Sequence, residues 1–524
     1  MRHSEHGHGT GHEHQAWGHS RILWIACIVL VLAAATNQFS FVSADPDLWG
    51  HVKFGQDTLA AGELHTTDPY SYTAQGHGWI NHEWLSEVLF AGLYNRFGDT
   101  GLLVLKFVVG LLVAGLLCAA ARIRQVHPLV AAAVLTMCVI SMSLGFMVRP
   151  QIFSFLFFAA CLYILLLYME RGINLLWLAV VIHVVWVNMH GGFLMGVALF
   201  LAAAVWETFS WLVLRWRKEA PVNILLAFAA VCLATLVNPY GYELLAFLYE
   251  SLGKERAISE WAPLPLAGFT YVDAKILMAL AAVVIVANGR QNRGWEVCAI
   301  LLTAYAAIKH QRHVPFFALV VGPYLAWGVS RTMRQAAYRY PAAKLTRTSA
   351  VIVLAAALAL SGVLVAGAMD RYNMAKWRIV VDPEEYPVTA VRYLRVNGIE
   401  GRIIVPFEWG EYAIWWLYPE CRVSIDGRFR TVYPERVIED HFNAIGNYAA
   451  FRRLPEKYPA DAMLVRQGPW ADRFIEDGPE EWLYVYSDRT AVVFLSRSGA
   501  NSGLLEKGAR AATGVKDDPG WYFP

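Results

Sequence analysis

The chain has 524 residues, of which 57% are hydrophobic and only 16% charged, with a net charge of +2. Soluble domains carry about a quarter charged residues, so this composition excludes an ordinary soluble protein and indicates a membrane protein. The near-neutral charge has no basic patch, which excludes a nucleic-acid partner. Seven scattered cysteines without pairing or metal spacing read as small hydrophobes, and Cys421 has no disulfide partner in the polar C-terminal region.

Residues 1–20 form a His-rich polar tail, with six histidines in the first nineteen positions. This is the composition of a solvated tail, and metal buffering is a second reading. The apolar run 21–42 is too long for a cleavable signal peptide and has no small-residue cleavage site ahead of the acidic stretch that follows. A membrane span needs roughly 20 apolar residues. Ten more candidate spans lie near 101–121, 128–146, 151–169, 173–189, 192–214, 222–238, 272–289, 294–309, 314–331 and 349–369, about eleven in all over 21–370. Lys and Arg concentrate in alternate short loops, among them Arg122, Arg124, Arg171, Arg215, Arg217 and Lys218. The positive-inside rule then places the tail 1–20 in the cytoplasm, and the loop 43–100 and the C-terminal region outside. The expected setting is the bacterial cytoplasmic membrane.

The loop 43–100 reads as structured. Asp45 as N-cap and Pro46 at the first helical position predict a helix that runs to Ala61 and stops at Gly62. A second start at Asn81 predicts a helix to Gly98; both are amphipathic and Trp-bearing, as helices lying in the membrane surface are. After Asp370 the composition changes, and 371–524 hold 42 of the 86 charged residues. GRIIVPFEWGEYAIWWLYPECRVSIDGR reads as strand, short helix, strand; PADAMLVRQ as a strand; WLYVYSDRTAVVFLSR as a hairpin turning at Ser487–Asp488. The expected fold is therefore mainly α, with polytopic membrane helices and a small extracytoplasmic α/β domain over 371–500, followed by a flexible tail, 501–524.

Polar and ionisable groups at membrane depth are expensive and mark functional sites. Here they collect in the turns on one side: Asp45, Asp47, His51, Asp68, Asn81, His82, Glu83, Arg149, His190, Asn238, Tyr240, Glu260, Arg312 and His313. Arg149 and Arg312, with His190 or His313, are groups that hold a phosphate. Asp47 or Asp45 beside an anionic leaving group suits a general base, with Glu260 as a second acid. His51, His82, Glu83, Asn238 and Tyr240 would line the substrate. No Ser-His-Asp order, Gly-rich phosphate loop or HExxH motif is present, so no nucleotide is implied. The donor most compatible with these groups is a lipid-linked phosphosugar.

The order of span, acidic external loop, many spans and external C-terminal domain resembles the GT-C membrane glycosyltransferases, which use polyprenyl-phosphate or polyprenyl-pyrophosphate sugar donors. Asp45-Pro46-Asp47 falls where the oligosaccharyltransferase catalytic subunit has its first-loop Asp. Ala257-Ile258-Ser259-Glu260 is similar to that family's external Ser/Thr-hydrophobic-X-Glu motif. Trp409-Gly410-Glu411-Tyr412-Ala413 is similar to its peptide-reading motif, and Arg422 to Arg428, with Asp426, to the segment after it. The resemblance implies an inverting transferase whose partners are a polyprenyl-linked donor, membrane lipid and an acceptor glycan, lipid or protein. Trp409, Glu411, Tyr412 and Asp426 would meet the acceptor. Aminoarabinose transferases and protein mannosyltransferases share the plan, and a flippase of lipid-linked sugars or a surface-polysaccharide polymerase or ligase stays open. A divalent cation, magnesium or manganese, is open too: the turn 145–151 holds no acidic pair to bind one.

Overall fold

In a computed structural model, residues 10–216, 218–252, 254, 258–339, 346–371, 377–503 and 522–524 are described. Part of the His-rich tail, Ala257, and most of the C-terminal tail therefore lie outside the described residues.

The chain begins with α1 (Thr10–Gln38), α2 (Leu48–Ala61), α3 (Trp84–Ile123), α4 (Pro128–Met142), α5 (Gln151–Arg171) and α6 (Leu176–Trp186). It continues with α7 (Phe193–Leu212), α8 (Val222–Ala234), α9 (Tyr242–Leu252), α10 (Val272–Asn288), α11 (Gly294–Lys309), α12 (Val314–Arg339) and α13 (Arg347–Arg371). Among the described residues, eight stretches are long and apolar enough to cross a membrane, in α1, α3, α4, α5, α7, α10, α12 and α13, and the chain is a multi-pass membrane protein. Three of the eleven expected spans are instead short helices: α6, α8 and α11 have 11, 13 and 16 residues. At 1.5 Å per residue even the longest of these covers roughly 24 Å, less than a hydrocarbon core of about 30 Å.

The helices pack around α12, which touches α3, α4, α5, α10 and α11. Leu112, Val205, Val283, Val286 and Val363 point outward and are exposed, the surface a lipid-facing bundle presents. The polar region opens with α14 (Val388–Val396) and carries a five-stranded sheet. Its strands are β1 (Gly401–Ile404), β2 (Cys421–Val423), β3 (Ala462–Arg466), β4 (Trp482–Ser487) and β5 (Ala491–Ser496), in the order β2-β1-β3-β5-β4. β1 runs parallel to β2 and β3, and the β4–β5 hairpin closes the sheet antiparallel. The helices α15 (Gly410–Leu417), α16 (Glu435–Gly446), α17 (Tyr448–Lys457) and α18 (Pro469–Asp477) cover it.

Backbone bonds stitch this domain to the first loop. Ala44 N–H donates to Val380 O at 2.7 Å, Val380 N–H to Val42 O at 2.8 Å, and Tyr72 N–H to Val423 O at 3.1 Å. The segment Tyr522–Pro524, expected to belong to a flexible tail, packs here as well. Phe523 is 0% exposed against Trp49 and Trp415, and its N–H donates to Ile379 O.

Two details of the loop differ from expectation. The helix after Asp45 starts at Leu48, and Asp45 does not cap it: its Oδ1 accepts the Asp47 N–H at 3.0 Å in an Asx turn. The apolar face of α2, Leu48, Trp49, Val52 and Phe54, is buried where α2 meets α3 and α15, so it meets protein and not lipid. The second helix starts at Trp84 and runs into the next span through a kink at Gly98, whose φ of 62° and ψ of −158° only glycine adopts easily.

Candidate active site

At the sheet-bearing end of the bundle lies a cavity of about 690 Å³. Three turns between helices and the first loop supply its charged groups. Arg149, just ahead of α5, is the hub. Its Nη2 donates to Asp47 Oδ2 at 2.6 Å, its Nη1 to Glu260 Oε1, and its Nε lies 3.5 Å from Asp45 Oδ1. The Asx turn is what aims both aspartates at one guanidinium. Burial pushes the Asp45 carboxyl up to about 6, against the pull of Arg149 and with the push of Asp47. Burial would raise Glu260 too, but Arg149 and then Arg312 overcome it and hold this carboxyl below its usual range.

A second cluster faces the first. His190 Nδ1 accepts the Gly192 N–H at 3.0 Å and meets Ser154 Oγ at 2.7 Å, where Trp186 Nε1 also donates at 2.7 Å. With Nδ1 an acceptor, the proton sits on Nε2, which lies 3.7 Å from Glu83 Oε1. Burial holds the His190 ring neutral, down to about 3. Burial would raise Glu83, yet the neighbouring His82 at 3.8 Å, the other imidazoles around it and Arg149 keep it below its usual range. Behind them, Glu87 accepts from Asn81 Nδ2 at 2.6 Å and meets His51 Nδ1 at 3.5 Å.

Arg312 differs from Arg149. Among the described residues it forms no ion pair, and its guanidinium lies over the Trp261 ring at 4.5 Å. It therefore keeps donors for an incoming anion. His313 lines the same wall, beside His310.

The C-terminal domain roofs the cavity with Phe407, Glu411, Arg428, Phe429 and Arg430. Glu411 is 3% exposed and accepts the Gly50 N–H at 3.0 Å. Burial, then Asp47 and Asp426, push its carboxyl well above the usual range. Asp47 Oδ1 and Glu411 Oε1 lie 2.5 and 2.6 Å from where a Cβ on Gly427 would stand, so only glycine lets the roof come this close.

The structure thus gathers Asp45, Asp47, His51, His82, Glu83, Arg149, His190, Glu260, Arg312, His313 and Glu411 around one cavity. Five expected site residues stand outside its lining. Asn238 is spent on its own turn, bonding Thr235 O and Gly241 O. Tyr240 OH accepts the Asn81 N–H from behind, at 2.9 Å. Trp409 is 1% exposed with Nε1 bonded to Glu385 O, and Tyr412 packs edge-on against Trp49. Asp426 is locked to Arg428 and Tyr433. Sequence reasoning missed Trp261, although it directly follows Glu260, and the roof residues Phe407, Phe429 and Arg430.

The donor set does not suit a divalent ion. Among the described residues no group of three His, Cys, Asp or Glu is disposed to hold one, and the point on which Asp45, Asp47 and Glu260 converge is taken by Arg149.

No family model matches the chain, and no curated protein sequence matches it. Solved structures do. The oligosaccharyltransferase AglB from Archaeoglobus fulgidus, in complex with an inhibitory peptide and a dolichol-phosphate, matches with a TM-score of 0.56 at 12% identity, covering 86% of this chain and 69% of its own. The apo form of the Archaeoglobus fulgidus oligosaccharyltransferase gives 0.57 at 13% identity, covering 86% and 70%. ArnT from Cupriavidus metallidurans gives 0.47 at 12% identity, covering 91% and 98%. At these identities the likeness is one of architecture, and the chain has the fold of the Archaeoglobus fulgidus oligosaccharyltransferase.

Proposed function

We propose that the chain is a membrane glycosyltransferase that moves a sugar from a polyprenyl-phosphate-type donor to an acceptor glycan, lipid or protein on the extracytoplasmic side of a bacterial cytoplasmic membrane. The observation that carries this reading is the pairing, in one cavity, of a carboxylate with an arginine that keeps its donors. Asp47 lies against the roof at Gly427, and Arg312 lines the same cavity over the Trp261 ring. Phe155, Leu194, Met195, Leu248 and Phe316 line the same cavity, which suits a donor whose phosphate is charged and whose chain is apolar.

In this reading Arg312 holds the donor phosphate, with the Nε2–H of neutral His190 and the neighbouring His313 as further contacts. Asp47 takes the proton from the acceptor nucleophile as it attacks the anomeric carbon, and the phosphate leaves as the anion that Arg312 retains. A single displacement of this kind inverts the anomeric centre. Glu260 orients Arg149, and Glu411, kept protonated by burial, lies at the roof beside Asp47. The dolichol-phosphate bound by the Archaeoglobus fulgidus protein of the same fold supports the choice of donor class.

The test is transfer of label from radiolabelled polyprenyl-phosphate sugars to membrane extract by the purified protein. Asp47→Asn removes the base and nearly preserves shape, and the rate is expected to fall about 10²–10⁴-fold. Equal transfer by both proteins overturns the assignment of Asp47.

A further inference from the structure

We infer that the cation of this site is built into the chain: the Arg149 guanidinium does the work that a divalent ion would do among Asp45, Asp47 and Glu260, and turnover needs no metal. The inference rests on the transferase reading but is tested separately from it.

A metal ion in a carboxylate site orients the acids and neutralises them, and it does so by binding oxygens at about 2.0–2.6 Å. Arg149 already does both. Each of its three nitrogens is aimed at a different carboxylate, Nη1 at Glu260, Nη2 at Asp47 and Nε at Asp45. The planar fork fixes directions as a coordination shell would, and the charge is permanent. The arginine is itself anchored. Its N–H donates to Met147 O at 2.9 Å and its carbonyl accepts the Ile152 N–H at 3.2 Å, so the first turn of α5 holds the backbone. A divalent ion entering the same focus would have to expel a half-buried guanidinium against like-charge repulsion. Nor does the opposite cluster offer a seat, because Glu83 faces His82 and His190, and Glu87 is bonded to Asn81 and His51. Arg149 is helped in balancing three carboxyls: Arg312 also acts on Glu260, and Asp45, buried and pushed up to about 6, holds its proton more readily than an ordinary carboxyl.

The experiment uses the full-length protein in detergent, wild type and Arg149→Met. Wild type, after exhaustive EDTA treatment, is expected to transfer sugar at an unchanged rate, to bind no stoichiometric Mn²⁺ by calorimetry, and to melt at the same temperature with or without Mn²⁺. Arg149→Met, with three carboxyls and no guanidinium between them, is expected to gain Mn²⁺ binding and a melting temperature that rises when Mn²⁺ is added. Loss of wild-type transfer in EDTA with recovery on Mn²⁺ or Mg²⁺ overturns the inference, as does stoichiometric Mn²⁺ binding to wild type that Asp47→Asn abolishes. If wild type transfers nothing in any condition, the transferase reading fails, while the Mn²⁺ titration still decides the identity of the cation. If Arg149→Met does not fold, the wild-type titration decides alone.

Discussion

Two clusters of arginines and acids sit at opposite ends of the helix bundle, and they are built to different rules. At the end away from the sheet, Arg124 donates to Glu296 at 2.6 Å and to Glu170 at 3.2 Å, and Arg293 reaches Glu170 at 2.6 Å. Two cations meet two anions, the Arg124 side chain has no exposed surface, and Trp327 lies 4.9 Å beneath its guanidinium. At the sheet-bearing end one guanidinium meets three carboxyls, and the cluster opens onto a cavity of about 690 Å³. The first is balanced and closed, as a fastening between α3, α5 and α11 should be. The second is in anionic excess and accessible, as groups that must exchange protons and bind a charged substrate should be. Composition does not separate them; stoichiometry and access do.

Breaking the closed cluster should have the largest effect, and it should be on stability alone. Arg124→Met leaves Glu296 buried without its partner and is expected to cost about 3–5 kcal/mol. Thermal melting in detergent reads this, and transfer per folded molecule should be unchanged. The converse holds at the other end. Arg312→Ala removes donors that no carboxylate among the described residues accepts, although it also gives up the Trp261 contact and the pull on Glu260; melting should therefore fall only slightly while the donor KM rises by roughly 10–100-fold, the worth of about 1.5–3 kcal/mol for a charge-assisted contact. A lowered melting temperature with unchanged KM would make Arg312 another fastening.

The smallest effect sharpens the contrast through pH. Asp45 is raised from 3.8 to about 6, so between these values the folded chain holds a proton that the unfolded chain has released. Its contribution to stability is full below 3.8 and is lost as the pH rises through about 6. Activity should run the other way. Once Asp45 ionises, a second carboxylate competes with Asp47 for the Arg149 guanidinium, so transfer should rise a few-fold through about pH 6. Asp45→Asn should flatten that limb of the pH–rate profile.

Much of this was legible in the sequence, because apolar runs and strand periodicity are local signals. The stretches Gln151–Arg171 and Ala491–Ser496 announce themselves in that way, and so does the concentration of polar turns at one end. What was not legible depends on distant partners. Asp45 looks like a helix cap until Arg149, over a hundred residues away, claims its carboxylate. Asn238 looks like a ligand until its amide closes its own turn. Trp409 and Tyr412 look like an acceptor surface, but α2 and the neighbouring backbone cover them, and only Glu411 of that motif reaches the cavity. The return of Phe523 to Trp49 could not be read at all from a Gly/Lys/Asp-rich stretch.

The bond from the Gly50 N–H to Glu411 joins positions 361 residues apart. At roughly 5–20 residues per second a ribosome needs about 20–70 s to travel that distance. For that interval the first loop has no roof, and the cavity is complete only once the C-terminal domain has been made.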